Sequence, residues 1–278
     1  MKRATLFPNM ITAFGLACGL FVIFKMNMVE PGSGAYEVVQ MSTFLLLVAA
    51  LADFIDGALA RALHGESEFG FVFDSLSDSI CFGVAPSVLL LKTLSMTQGT
   101  FLSFFAATGA MVFSLCGVLR LVRFSVKAKE AKGNEELQKA QKKHFTGLPI
   151  PAAAIAATSA NLFFLTPLVT EWIPMSTSAR AIMLTFVMIL LGYLMVCRLK
   201  FPSLKMLRFR IPSFHLAFLA VVSAVFVIYG ILYFFSLILA FVAWVYIAVS
   251  LILSLIRLIA GKKSKTLEEF EPDDEEEH

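Results

Sequence analysis

Charged residues are scarce in this sequence, which excludes most soluble globular proteins of this length. Only 15% of the 278 residues are charged, whereas 58% are apolar and 28 are phenylalanine. The mean hydropathy is +0.81, and a soluble domain of this size does not carry so much apolar surface. The sequence therefore predicts a polytopic integral membrane protein with an all-α fold, embedded in a lipid bilayer and without a nucleic-acid partner.

Cysteine is also rare, and its placement argues against a thiolate metal site. All four cysteines lie within apolar segments, and no two of them have the spacing of metal ligands. We interpret them as unpaired residues that pack inside the protein. They are Cys18, Cys81, Cys116 and Cys197.

Apolar runs of roughly 20 residues are long enough to cross a bilayer, and they predict about eight transmembrane helices. The runs cover residues 8–27, 38–63, 70–93, 100–124, 149–170, 179–198, 215–233 and 236–258. The division between the last two is the least defined, because residues 216–256 carry no charge.

The basic residues are distributed unevenly between the two ends of these spans. An even number of spans places both termini on one side of the membrane. Twenty of the 23 basic residues then fall on that side, and only Lys25, Lys92 and Arg180 fall toward the other. Because basic loops remain in the cytoplasm, we expect a protein of the inner membrane whose termini face the cytoplasm.

Aspartates are few, and most of them lie in or next to apolar segments, where a charged side chain is energetically unfavourable. Four of the six occur between residues 53 and 78, inside or at the edges of apolar runs. Carboxylates near hydrocarbon persist mainly where they line a polar cavity or hold an ion. Asp53 and Asp56 are three residues apart, and Asp74 and Asp78 are four apart, so each pair shares one helix face. The polar segment 64–67 predicts a hairpin that brings the pairs together.

Four converging carboxylates repel one another unless a cation lies between them. Ligation by oxygen alone suits Mg²⁺ or Mn²⁺, so the sequence predicts one or two divalent ions. Gly57 and Gly70 leave space for a ligand beside the acids, and Arg61 is placed to contact a phosphate. This combination indicates phosphoryl chemistry. Gly83 and Pro86, just past Asp78, predict a kink or a packing irregularity in the third span.

The spacing of these residues resembles the signature of CDP-alcohol phosphotransferases, D-x2-D-G-x2-A-R-x8-G-x3-D-x3-D. The chain matches it at Asp53, Asp56, Gly57, Ala60, Arg61, Gly70, Asp74 and Asp78. The resemblance implies the helical membrane fold of that family and a homodimer. It also implies that the first three aspartates are the main metal ligands, and that Asp78 is the general base and also contacts a second ion. The two glycines, the alanine and the arginine would border the cytidine diphosphate.

Three further segments resemble phosphatidylserine synthases within this family. They are P-N-x2-T at residues 8–12, R-L-x-R-F at residues 120–124 and F-x-G-L-P-x-P-A-A-A at residues 145–154. The resemblance implies transfer of the phosphatidyl group from CDP-diacylglycerol to the hydroxyl of L-serine, which gives phosphatidylserine and CMP. Many of those enzymes have a further asparagine three residues after the threonine, where this chain has Gly15.

Two pairs of polar residues in these segments are candidate substrate contacts, and each has an alternative interpretation. Asn9 and Thr12 share a face of the first helix, where they either contact a nucleotide or pyrophosphate or cap the helix. Arg120 and Arg123 share a face of the fourth helix. They either hold the serine carboxylate or contact lipid phosphates at the membrane surface.

Three other functions share parts of this pattern. A related transferase would use glycerol 3-phosphate or inositol phosphate as acceptor, or an archaeal-type lipid as donor. An intramembrane prenyltransferase also uses aspartate pairs and Mg²⁺, but on well-separated helices. A cation transporter would need acids near the middle of the bilayer, whereas these acids lie toward the cytoplasmic ends of their spans.

A cluster of acidic residues at the C-terminal end distinguishes a tail from the rest of the chain, so we predict two regions. We assign residues 1–262 to a transmembrane catalytic domain. Residues 263–278 form a cytoplasmic tail with eight acids among its last eleven residues. Because such runs are normally solvated and disordered, we assign the tail no catalytic role.

Overall fold

The computed structural model describes residues 3–30, 36–63, 67–94, 96, 99–130, 145–197, 200–201, 234–254 and 256. Almost all of this backbone is helical, which confirms the predicted all-α class. The chain forms two compact units. The first comprises Met1–Glu130 and Leu148–Cys197, and the second comprises Ala131–Gly147 and Arg198–His278.

The first unit is a bundle of helices. In chain order it contains α1 (Arg3–Met28), α2 (Tyr36–Ala62), α3 (Glu68–Asp78), a π-helix (Ser79–Val84), α4 (Ala85–Thr93), α5 (Phe101–Glu130), α6 (Ile150–Leu165), α7 (Pro167–Trp172) and α8 (Thr177–Val196). Helix α1 packs along α2, and α5 packs along α8.

Among the described residues, the second unit contains a short strand pair and one helix. Strands β1 (Phe145–Thr146) and β2 (Lys200–Phe201) pair antiparallel, with Phe145 opposite Phe201. The next residue after β1, Gly147, has a φ of 85°, a left-handed conformation that favours glycine. Helix α9 covers Phe234–Ser254. The sequence did not predict the strand pair.

Six helical segments in the described residues are long and apolar enough to cross a membrane, which confirms a multi-pass membrane protein. They are Leu6–Met28, Tyr36–Ala62, Glu68–Thr93, Phe101–Val126, Thr177–Val196 and Phe234–Ser254. The predicted span at 215–233 lies outside the described residues, so the number eight stays a prediction. The predicted span at 149–170 was too long, because α6 ends at Leu165 and Pro167 begins a separate helix.

Helix α6 forms the centre of the first unit. It contacts α2, α4, the π-helix and α8, and its alanines at positions 153, 154, 156 and 157 are at most 1% exposed. Such small side chains allow neighbouring helix backbones to approach closely. A helix enclosed by protein in this way does not need the full length of a lipid-facing span, and α6 has only 16 residues.

The third span changes its helical geometry directly after Asp78. Its first part, α3, begins at the N-cap Ser67, whose hydroxyl accepts a hydrogen bond from the Gly70 amide at 3.0 Å. The π-helix Ser79–Val84 follows, and α4 continues with Pro86 in its first turn. The irregularity predicted near Gly83 and Pro86 is therefore present, as a wider helical turn.

Candidate active site

Helices α2 and α3 bring the motif aspartates together. Asp53 and Asp56 lie toward the end of α2, and Asp74 and Asp78 lie in the second half of α3. One carboxylate oxygen from each of the first three lies within 4.8 Å of the others. Asp78 lines the same small cavity. The predicted convergence of the four acids is present, while their individual roles remain predictions.

The three clustered carboxylates fit a divalent cation. All of their donor atoms are oxygens, the ligand type that Mg²⁺ and Mn²⁺ prefer. Ligand oxygens on opposite sides of a Mg²⁺ ion are roughly 4 Å apart, since each bond is about 2.1 Å. A spacing within 4.8 Å therefore requires only small side-chain adjustments on binding.

Thr12 of α1 holds one of these carboxylates. Its hydroxyl donates a hydrogen bond to Oδ2 of Asp56, and it also lies 3.1 Å from the carbonyl oxygen of Pro8. Both Thr12 and Asp56 are buried, at 6% and 4% exposure. The alternative that Thr12 and Asn9 cap the helix is wrong, because α1 begins at Arg3 and both residues lie inside it.

Asn9 lies against the start of α3. A Cβ atom added at Gly70 would be 3.0 Å from Oδ1 of Asn9 and 3.1 Å from the hydroxyl of Ser67. Among the described residues, the buried Nδ2 of Asn9 has no hydrogen-bond partner. Because a buried donor without an acceptor is costly, this N–H group is available to a ligand.

The remaining residues of the signature lie along the last turns of α2. Within the described part of the chain, a Cβ added at Gly57 would meet only Nη1 of Arg61, at 4.0 Å, so no described side chain fills the space beside this position. Ala60 is half-buried and Arg61 is exposed. The structure therefore places small residues and an exposed cationic side chain one to two turns beyond Asp53.

The two arginines of α5 have different surroundings. Arg123 donates from Nη1 to the carbonyl oxygen of Val196 at 3.1 Å, so it contacts the C-terminal end of α8. Arg120 is half-buried, and its positive charge acts on Asp78. Of the two arginines, Arg120 is therefore the one whose charge interacts with the aspartate cluster.

Sequence reasoning missed several residues that line the acidic cavity. These are Gly15, Ala49, Ser77, Cys81 and Phe82. The thiol of Cys81 lies 3.4 Å from the carbonyl oxygen of Gly15, so it joins the third span to α1. None of the four cysteines forms a disulfide bond, in agreement with the sequence.

Comparison with known proteins agrees with this arrangement. The profile of the CDP-alcohol phosphatidyltransferase family matches residues 5–198. A Helicobacter pylori protein named CDP-diacylglycerol–serine O-phosphatidyltransferase is 30% identical over 222 residues, which cover 80% of this chain and 82% of that protein. A Bacillus subtilis protein with the same name is 29% identical over 198 residues, or 71% of this chain and 90% of the relative.

An archaeal relative adds to this set. The archaetidylserine synthase of Methanothermobacter thermautotrophicus is 32% identical over 189 residues, which cover 64% of this chain and 67% of that protein. The family match extends over most of the chain and includes the whole acidic cavity. This chain is a member of the CDP-alcohol phosphatidyltransferase family.

Proposed function

We propose that this protein transfers the phosphatidyl group of CDP-diacylglycerol to the hydroxyl of L-serine, giving phosphatidylserine and CMP. The observation that carries this proposal is the cluster of three carboxylates within 4.8 Å, in a chain whose family profile covers the cluster. The names of the bacterial and archaeal relatives support serine as the acceptor, since both names contain it.

Asp53, Asp56 and Asp74 would hold the divalent ion, Mg²⁺ or Mn²⁺. When bound, such an ion neutralises charge on the pyrophosphate of the donor and on the departing CMP. Thr12 fixes the orientation of the Asp56 carboxylate through its hydrogen bond, which leaves the other carboxylate oxygen free to act as a ligand.

The cytidine diphosphate would lie across the start of α3 and the last turns of α2. The amide donor of Asn9, which has no acceptor among the described residues, supports a contact with a phosphate oxygen. Arg61 supplies a positive charge at the exposed edge. Gly57 and Ala60 keep this surface free of large side chains, so the donor can approach the backbone of α2. The prediction that Gly70 leaves space for the ligand itself needs correction, because the space beside Gly70 is occupied by Asn9 and Ser67; Gly70 would border the donor by letting Asn9 come close to α3.

Asp78 would accept the proton of the serine hydroxyl as its oxygen bonds to the phosphorus atom. The bond between that phosphorus and the CMP oxygen breaks, and CMP leaves with the electron pair. Arg120 would hold the serine carboxylate, because its charge already acts beside Asp78. The contact of Arg123 with Val196 makes it the weaker candidate for serine binding.

We further infer that the acidic cavity opens toward the cytoplasm in the inner membrane. The excess of basic residues at that end of the spans supports this orientation. A homodimer follows from the family resemblance. Residues 1–262 would form the catalytic domain, and the acidic segment 263–278, which lies outside the described residues, would form a cytoplasmic tail.

The test is CMP release by the purified full-length protein in detergent. CDP-diacylglycerol and Mg²⁺ or Mn²⁺ are supplied with L-serine, glycerol 3-phosphate, inositol or no acceptor. Serine-dependent release that disappears in Asp74→Asn is expected. Release with another alcohol would retain the family chemistry and overturn the acceptor. No release with any acceptor, combined with Mn²⁺ passage into proteoliposomes, would favour a transporter.

A further inference from the structure

A second cavity lies at the end of the bundle opposite the aspartates. It has a volume of about 370 Å³ and is formed by the end of α6, α7 and the start of α8. Its position follows from two contacts of α8. At the beginning of α8, Arg180 donates to the carbonyl oxygen of Thr93, the last residue of the third span. At the other end, Val196 accepts from Arg123.

The neighbourhood of this cavity is typical of a membrane surface. Trp172, at the end of α7, is 85% exposed, and tryptophan is enriched where lipid headgroups meet water. The wall combines apolar side chains with three hydroxyl residues and one cation. The polar members are Thr170, Ser176, Thr177 and Arg180.

Arg180 brings a positive charge into this wall without an acidic partner among the described residues. Its guanidinium donates from Nη2 to the Thr93 carbonyl oxygen at 3.1 Å. Its Nε atom is buried and has no hydrogen-bond partner among the residues that the structure describes. Because Arg180 is half-buried, its charge has lost part of its hydration, and a ligand of negative charge would stabilise it.

The start of α8 adds to the positive potential of the cavity. The helix begins at Thr177, and its N-cap Ser176 accepts a hydrogen bond from the amide of Ala179 at 3.2 Å. The first N–H groups of a helix and its dipole favour anions. Arg180 lies in this same first turn, so two independent sources of positive charge face one cavity.

We propose that this cavity binds a phosphate group, with Arg180 as its main cationic contact. The volume exceeds what inorganic phosphate needs, and the apolar side chains of α6 and α7 suit the glycerol and first methylene groups of a phospholipid. The ligand is therefore either a lipid phosphate of the leaflet opposite the aspartates or free phosphate. The site is separate from the acidic cavity, and the proposal does not depend on the identity of the acceptor alcohol.

The test measures the thermal unfolding midpoint of the purified full-length protein in detergent. The added probes are phosphatidylglycerol, inorganic phosphate, and diacylglycerol, which lacks phosphate. At a probe concentration of about 100 times Kd, we expect the midpoint to rise by roughly 5 to 10 °C. Diacylglycerol should give no rise. A rise with phosphatidylglycerol alone identifies a lipid ligand, and an equal rise with inorganic phosphate identifies the free anion.

Three variants separate binding at this cavity from other effects. Arg180→Gln removes the cation, and Thr170→Phe fills the cavity while leaving the bond between Arg180 and Thr93 intact. Both should abolish the rise. Lys92→Gln, which removes a nearby cation that does not line the cavity, should keep it. The proposal fails if the wild type shows no rise with either phosphate probe, or if Thr170→Phe responds as the wild type does.

Discussion

Thr12 sets the position of a metal ligand although it lies outside the aspartate signature. Thr12→Val keeps the shape of the side chain but removes the hydrogen bond to Asp56. Losing such a partner of a metal ligand weakens metal affinity by about 10- to 100-fold. We therefore expect the Mn²⁺ or Mg²⁺ concentration for half-maximal CMP release to rise by that factor.

Thr12→Ser is the matched control for this experiment, because it retains the hydroxyl and should respond to metal as the wild type does. The sequence suggested a different role for Thr12, as a contact of the nucleotide. If Thr12→Val raised the KM for CDP-diacylglycerol and left the metal response unchanged, that first interpretation would be correct and the positioning role would be refuted.

Asp78 differs from the other three aspartates in the role that we propose for it. Asp78→Asn removes the proton acceptor and keeps the size of the side chain, so CDP-diacylglycerol should still bind. Loss of a general base lowers the rate by about 10²- to 10⁴-fold. CMP release and binding of labelled CDP-diacylglycerol, measured on the same preparation, check both parts. Turnover at the wild-type rate would contradict the assignment.

The residues of the site differ in how far the sequence could predict them. The four aspartates were predictable, because acids in apolar segments are rare and their spacing of three and four places each pair on one helix face. The bond between Thr12 and Asp56 was not. It joins residues 44 positions apart, and it depends on the packing of α1 against α2, which no local pattern encodes.

At the scale of elements, a set of hydroxyl groups supports the π-helix that follows Asp78. The hydroxyl of Ser114 in α5 lies 2.9 Å from the carbonyl oxygen of Gly83 and 2.9 Å from the hydroxyl of Ser87. Ser87 also reaches the Ala110 carbonyl oxygen at 3.1 Å. A π-turn is wider than an α-turn and is frequent at functional sites. These contacts hold the carbonyl group of Gly83, the residue before the last of the π-helix, in place.

Ser114→Ala should therefore shift the position of Asp78, the residue that precedes the π-helix, more than the positions of the metal ligands. We expect a loss of about 1 kcal/mol in the free energy of unfolding. The kcat should fall by up to roughly 100-fold, because a small displacement of a reacting group can lower the rate by that much. The metal concentration for half-maximal activity should not change, because Asp78 directly precedes the π-helix, whereas Asp53, Asp56 and Asp74 do not border it. Thermal unfolding and CMP release measure both effects.

Thr108→Ala is the control for Ser114→Ala, since Thr108 lies on the same helix and, among the described residues, its hydroxyl donates only to the Phe104 carbonyl oxygen. Equal losses of kcat in the two variants would show that the effect belongs to α5 in general. Gly83 and Pro86 predicted an irregular helix here, but Ser114 lies 31 residues from Gly83. The hydrogen bond from Ser114 that supports the π-helix could therefore not be predicted from local sequence.

At the scale of the whole molecule, the hydrophobic runs predicted most spans because lipid-facing helices must be long and apolar. The same rule overestimated the run at 149–170. Helix α6 is surrounded by protein instead of lipid, so its length is set by its neighbours and it ends at Leu165. The predicted span at 215–233 lies outside the described residues and stays a prediction.

The orientation of the whole molecule gives the last prediction, which concerns two exposed residues at opposite ends of the bundle. Glu68 is the first residue of α3, at the end of the bundle where the aspartates lie. Trp172 is the last residue of α7, beside the cavity for which we propose phosphate binding. In right-side-out membrane vesicles, a membrane-impermeant maleimide should label Trp172→Cys and should not label Glu68→Cys. Permeabilised vesicles should allow both to react. Each substitution is compared with the parent protein, whose own four cysteines give the background. Labelling of Glu68→Cys from outside would reverse the orientation, and serine would then have to reach the aspartates from the external face.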